Sequence, residues 1–354
     1  TPSSNAYFLN KFWESSYIER GLFAQFIPVL LWDLFNIKTI GLAHISSLIL
    51  LYLNKILLVI FCSKISQHLF SRDFVKKIFF IILSILSVSL VSYYNLDAFP
   101  ERSFLFLLFF IIFENSFRDN KFYISSFLLG LFSIISMLWF IDIGAYINFL
   151  LLVMLIYFFL RKEIRKFSST LFGIVFGWAS FIIFLPSSEF SEFVNITLSV
   201  YANVDYYNGL IYPTPFLSGD ARSTRALLLI IFGGILTILL SFNKKLKLSH
   251  ESRILFIFLF IASILMFKTA LSRSDTPHIK VAAGFNLFLV YTAILYLLFH
   301  LIEKKEKIKL TVNKFLNFSK KKYLNLIIIF FLLNIFILKA NIAGYKNLTY
   351  SLEN

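Results

Sequence analysis

Of the 354 residues, 58% are hydrophobic and 46 are Phe. With a mean hydropathy of +0.80, this excludes a soluble globular domain, where apolar residues make up about 45–50%. The net charge of +15 sits on residues that flank apolar stretches, where membrane topology and anionic lipid account for it, so no nucleic-acid partner is expected.

Residues 1–39 form an outer segment in which Trp13, Glu14, Tyr17, Glu19 and Arg20 precede an apolar stretch from Leu22 to Phe35. Pro28 and Asp33 interrupt that stretch, and it falls short of the roughly 20 apolar residues a span requires. Leu22, Phe23, Phe26, Leu30 and Leu34 recur at helical spacing, which predicts an amphipathic helix lying on the membrane. Apolar stretches then follow at 40–62, 78–94, 103–113, 122–141, 145–160, 169–185, 225–242, 254–270, 281–302 and 324–340. The predicted fold is therefore all-α: a polytopic membrane domain over 40–343 with about ten transmembrane helices, then an outer tail at 344–354. Segment 103–113 is the shortest of these. Phe117 extends it past Glu114, and removing it would reverse every later loop.

Threading the chain back and forth puts 62–77, 114–121, 161–168, 243–253 and 303–323 on one side. These loops hold 22 of the 34 Lys and Arg but only 7 of the 19 Asp and Glu. By the positive-inside rule they are cytoplasmic. The first visible span then runs inward from outside, so the expectation is a further helix before Thr1, eleven spans in all, in preference to a cleaved signal peptide. The 186–224 stretch is a long outer loop whose aromatics and prolines favour an ordered cap. The basic 303–323 stretch reads as an inner interfacial helix. Lys55 reads as snorkelling toward the cytoplasmic end of its span, and the single cysteine, Cys62, as a small core residue.

Acidic residues prefer the outer side, although topology does not demand it. Glu14 and Glu19 lie in the first segment, Asp97 and Glu101 in the turn after 78–94, and Asp142 in Trp139-Phe-Ile-Asp142-Ile-Gly144. Carboxylates at an outer membrane face suit general-base work, or a divalent metal ion at Asp97 and Glu101, acting on a lipid-linked substrate. A second cluster, Lys268, Arg273, His278 and Lys280, gathers cations on the otherwise acidic side. A phosphate or pyrophosphate is its natural partner, because Arg offers a bidentate fork and Lys a point charge. In the long loop, Tyr207, Tyr212 and Arg222 are candidates for contact with an acceptor.

The layout resembles the GT-C superfamily of membrane glycosyltransferases. The resemblance is carried by Trp13-Glu14-Ser-Ser-Tyr-Ile-Glu19-Arg20-Gly21, Asp142-Ile-Gly144-Ala-Tyr146 and Arg273-Ser-Asp275-Thr-Pro-His278, and by the order of spans and outer segments. It implies transfer of a sugar from a polyprenyl-phosphate donor to a lipid- or glycan-linked acceptor. The reaction would occur at the outer face of a bacterial cytoplasmic membrane, with a carboxylate as base and the lipid phosphate leaving into a basic site. The first segment has no adjacent acidic pair, so Glu14 and Glu19 both stand as candidates. No Gly-rich phosphate loop is present. Two other readings compete: an O-antigen-type polysaccharide polymerase or ligase centred on the long loop, and a multi-span lipid or glycan transporter with charge near the membrane midplane.

Overall fold

The computed structural model describes Trp13 and residues 21–36, 38–89, 100–117, 123–203, 214–217, 221–246, 248–271 and 276–304. Every regular element among them is helical. Among the described residues six helices are long and apolar enough to cross a membrane, where the sequence reading expects about ten spans in the whole chain.

Helix α1 (Leu22–Phe35) is helical over the bounds predicted for the first apolar stretch; Pro28 lies inside it, and Asn36, with φ 52°, closes it in the left-handed conformation. Helix α2 (Ile40–Leu69) runs seven residues beyond its predicted end. Next come α3 (Asp73–Leu86), α4 (Pro100–Ser116) and α5 (Ile124–Trp139), which are shorter than the six candidate spans. Helices α6 (Ile141–Leu160) and α7 (Ile164–Phe184) are full-length candidates. The long loop expected at 186–224 contains α8 (Ser187–Ala202). The last described elements are α9 (Ala221–Phe242), α10 (His250–Leu271) and α11 (Thr276–Lys304). The expected span at 324–340 and the basic helix at 303–323 fall almost wholly outside the described residues.

Between membrane helices, packing and small residues replace the hydrophobic driving force, and the sequence supplies glycines at three seams. On α5 and α7, Gly130 and Gly173 meet with no side chain between them. A Cβ on Gly130 would stand 2.1 Å from the Thr170 carbonyl oxygen and 2.8 Å from the Gly173 Cα. Gly177, one turn further along α7, meets Ile134 of α5, so these two helices run parallel. Helix α6, which links the two in sequence, packs antiparallel to α5: Gly144 lies against Met137 and Asn148 bonds to Ser133. The third seam joins α9 to α11, where Ala226 clusters with Ile279 and, seven residues on, Gly233 abuts Asn286. The main core is phenylalanine-rich; Phe61 of α2 stacks on Phe110 of α4 and Phe288 of α11, at 5.7 and 5.4 Å between centroids.

Alternation sorts the helix ends into two sets. At one end, α2, α4 and α6 finish beside the start of α10: Lys64 and His68 reach Glu114, Ser252 donates to the His68 carbonyl, and Tyr157 meets His250. Arg72, Arg161, Lys162, Lys244 and Lys245 belong to this basic end. At the other end α4 and α6 begin side by side, covered by α8 and by the approach to α1; this is the acidic end.

Candidate functional site

The acidic end is organised by a one-residue corner. Phe140 (φ −155°, ψ 115°) leaves α5 and opens α6, its N–H donating to Ser136 O while its own carbonyl accepts from Gly144 N. So sharp a reversal needs a clamp. Asn148 Nδ2 donates to Ser133 O at 3.1 Å and to Gly144 O at 2.8 Å, Ser133 Oγ donates to Asn148 Oδ1 at 2.5 Å, and Trp178 Nε1 from α7 donates to Ser133 Oγ at 2.9 Å.

Asp142 sits in the first turn of α6, where an acidic side chain is favoured by the helix dipole. Its Oδ1 accepts the Ile143 N–H at 2.8 Å, and its Oδ2 lies 3.3 Å from Nη1 of Arg102 in the first turn of α4. The Arg102 guanidinium rests 4.6 Å from the centre of the Phe140 ring, with the side chain 13% exposed against 38% for Asp142. A long single contact to a half-open carboxylate is a weak ion pair, and it leaves the planar fork of the arginine unmatched by Asp142.

Two covering elements reach the corner. From α8, Tyr201 donates its hydroxyl to the Ile141 carbonyl at 3.4 Å. Burial of that hydroxyl, and secondarily the Asp142 charge, pushes the phenol up to about 12. From the first segment, Gly21 lies flat on the Trp139–Phe140 peptide with φ 132°. A Cβ there would stand 2.2 Å from the Trp139 oxygen, so only glycine fits on both counts. Further back, Trp13 donates its backbone N–H to the buried Glu189 carboxylate of α8 at 2.7 Å, and its ring packs edge-on against Phe181 and Phe193.

Of the residues singled out from sequence, Asp142 stands at this corner. Lys268 is exposed in the last turn of α10. His278 and Lys280 lie in the first turns of α11, Arg222 in that of α9 and Glu101 in that of α4, with their side chains outside the described set. Glu14, Glu19, Asp97, Arg273, Tyr207 and Tyr212 fall outside the described residues altogether. Among the described residues no three His, Cys, Asp or Glu side chains gather as a metal site.

Sequence reasoning missed a second charged group. Glu114, predicted in a cytoplasmic loop, stands in the last turn of α4 with no exposed side-chain surface. Lys64 Nζ meets it at 2.5 Å and also bonds Asn115, while His68 Nε2 meets its other oxygen at 2.7 Å. The one available signal was the i,i+4 spacing of Lys64 and His68, which puts both on one face of α2.

Lys55 also departs from expectation. Because α2 continues to Leu69, Lys55 lies 14 residues, or about 21 Å, from the basic end. That is well beyond a lysine's reach, and the residue is 4% exposed, so it does not snorkel there.

Comparison with family models, with curated proteins and with solved structures gives no match for this chain.

Proposed function

We propose that this integral membrane protein transfers a sugar from a polyprenyl-phosphate donor to a lipid- or glycan-linked acceptor, with the reaction at its acidic end. The observation that carries the reading is the convergence on Phe140 of a carboxylate, a guanidinium, a phenol and the first segment. Asp142, Arg102 and Tyr201 meet there, and the chain arrives at Gly21 two positions after Glu19. Such a set suits acyl- or glycosyl-type transfer to a hydroxyl: a carboxylate deprotonates or aligns the acceptor and a cation takes the charge of the departing phosphate. In this reading Glu19 is the base, with Glu14 second, and Asp142 fixes the cation. Exposed apolar surface along α7, including Phe172, Phe176 and Phe184, supports contact with lipid acyl or isoprenoid chains.

The orientation proposed is the one the charge bias favours, with the basic end in the cytoplasm and the acidic end outside, and with the uncounted apolar stretches completing about ten spans. The test is a transfer assay on reconstituted protein supplied with a polyprenyl-phosphate sugar. Glu19→Gln should lower the rate about a hundred-fold or more, with the protein still inserted and monodisperse. Normal turnover in Glu19→Gln and Asp142→Asn, together with a dead Arg222→Ala, would move the centre to the 186–224 segment and replace this reading by the polymerase one.

A further inference from the structure

We propose that the basic turn between α6 and α7 and the outer face of α7 form one binding site for an anionic phospholipid. Arg161, Lys162 and Arg165 take the headgroup phosphate, and the acyl chains lie along Phe172 and Phe176. The inference concerns the basic end and is independent of the sugar-transfer reading.

Small residues decide which face α7 shows. Gly173 and Gly177 turn toward α5, with Thr170 buried beside them. The far face is left exposed, at Leu171, Phe172, Val175 and Phe176. There Phe127 of α5 joins Phe172 and Phe176, at 5.8 and 5.9 Å between centroids, with 6.1 Å between the two α7 rings. Arg165 heads this aromatic ledge. It stands seven residues before Phe172, almost two full turns and so nearly the same face, and about 10 Å further out along the axis. A phospholipid has the same layout: charge at the surface, then apolar chain over half of the roughly 30 Å hydrocarbon core.

Other cations at this end are engaged by the fold: Lys64 by Glu114 and Asn115, Lys76 by Asp73, and Arg253 by four carbonyls. Within the turn, Glu163 pairs with Lys166 at 2.9 Å, and Lys166 leans over the Phe158 ring. Arg161, Lys162 and Arg165 are exposed and join no ion pair among the described residues. Lys162, with φ 59°, closes α6 in the left-handed conformation, where glycine is the usual residue. A lysine there carries a conformational cost that glycine avoids, and what it adds to the turn is charge. The sign of the charge holds over the full sequence: residues 161–166 carry four Lys and Arg against Glu163, and the loops threaded to this end carry 22 against 7 acidic residues. Such juxtamembrane cations each favour an anionic lipid surface about five-fold. The apolar ledge selects a lipid over a soluble phosphate. A second copy of this chain fits less well, since pairing two α7 faces side by side in a bilayer would bring two identical basic turns together.

The test is photolabelling of the full chain in phosphatidylcholine nanodiscs that contain a trace of phosphatidylglycerol with a diazirine in its acyl chain, read by peptide mass spectrometry. Label should fall on residues 171–176 and be displaced by unlabelled phosphatidylglycerol. It should exceed about ten-fold the label from phosphatidylcholine carrying the same diazirine. Replacing Arg161, Lys162 and Arg165 together by Gln should lower it about ten-fold or more, whereas Lys244→Gln with Lys245→Gln, exposed lysines on the α9–α10 turn, should leave it unchanged. Equal labelling by the two lipids, or labelling that survives the triple replacement, would overturn the site. An equal loss in the Lys244 and Lys245 variant would overturn it in favour of a diffuse ring of charge, and cross-links between α7 of two copies in place of lipid would give the face to a second chain. Should the triple variant fail to fold, salt decides the matter in the unaltered protein. Raising ionic strength from about 0.05 to about 0.5 M should lower the labelling through screening, and labelling indifferent to salt would overturn the inference.

Discussion

The two ends of the bundle treat buried charge in opposite ways. At the basic end Glu114 is sealed, with one carboxylate oxygen matched to Lys64 and the other to the His68 ring, and Lys64 carries a further bond to Asn115. Nearby, Arg253 gathers the carbonyls of Ser241, Asn243, Leu246 and Leu248 at the close of α9. At the acidic end Asp142 and Arg102 touch through one contact of 3.3 Å, and the carboxylate stays open to solvent. A closed network has its hydrogen-bonding capacity spent on the fold, so its loss costs stability. An open pair contributes little to stability and keeps capacity for a substrate.

The sharpest way to break this contrast is at Glu114. Glu114→Ala leaves Lys64 and His68 facing each other in a buried site and should cost about 3–5 kcal/mol, seen as a large fall in the apparent unfolding temperature in detergent. Replacing Lys64, His68 and Glu114 together by Met, Phe and Leu should recover much of that loss, because an apolar core of similar volume needs no counter-charge. A single variant as stable as the unaltered chain would mean that the network is not closed in the membrane.

A mechanical probe at the acidic end has a smaller expected effect. Gly21→Ala asks a Cβ to occupy the Trp139 carbonyl and an L-residue to adopt φ 132°, a strain of about 1–3 kcal/mol. The cheapest relief is to lift the first segment off the corner and leave the bundle intact. The bundle's unfolding temperature should therefore hardly move, while iodide quenching of tryptophan fluorescence rises as Trp13, 3% exposed, loses its cage. Unchanged quenching would show that the corner can shift to accept the methyl group.

Much of the scaffold was legible because apolar runs and helical spacing report directly on lipid-facing and core-facing surfaces. The helix at Leu22–Phe35 and the helical character of nine of the ten predicted stretches follow from that signal. The end of α2 did not, since Lys64, Ser66 and His68 lower the hydropathy after Cys62 although the helix continues to Leu69. Ser66 donates to the Ser63 carbonyl one turn back, but the polarity of Lys64 and His68 is satisfied by Glu114, 50 and 46 residues away, and no local pattern reports a partner at that distance. The same limit hid the Arg102–Asp142 pair. Asp142 was visible on the acidic side, but its meeting with Arg102 depends on the Phe140 corner, where one extended residue between two helices carries no compositional mark.

Tyr201 gives the smallest and most discriminating probe of the open end. Its hydroxyl reaches Ile141 O at 3.4 Å, and the residue as a whole is 41% exposed, so Tyr201→Phe should cost less than about 1 kcal/mol. The pH dependence has a definite sign. The folded phenol ionises near 12, above its ordinary range near 10, because burial first and the Asp142 charge second disfavour the phenolate. The stability this contributes is complete below about pH 10, and it is lost as the pH rises through 12. A spectrophotometric titration of folded protein should therefore lose one late-ionising tyrosine in Tyr201→Phe, and Asp142→Asn should bring that ionisation to lower pH while moving the unfolding temperature little. If Asp142→Asn leaves the titration untouched, the phenol and the carboxylate do not share the corner. If Tyr201→Phe destabilises as much as Glu114→Ala, the acidic end is as tightly closed as the basic one, and the distinction between a structural and an open charge pair is lost.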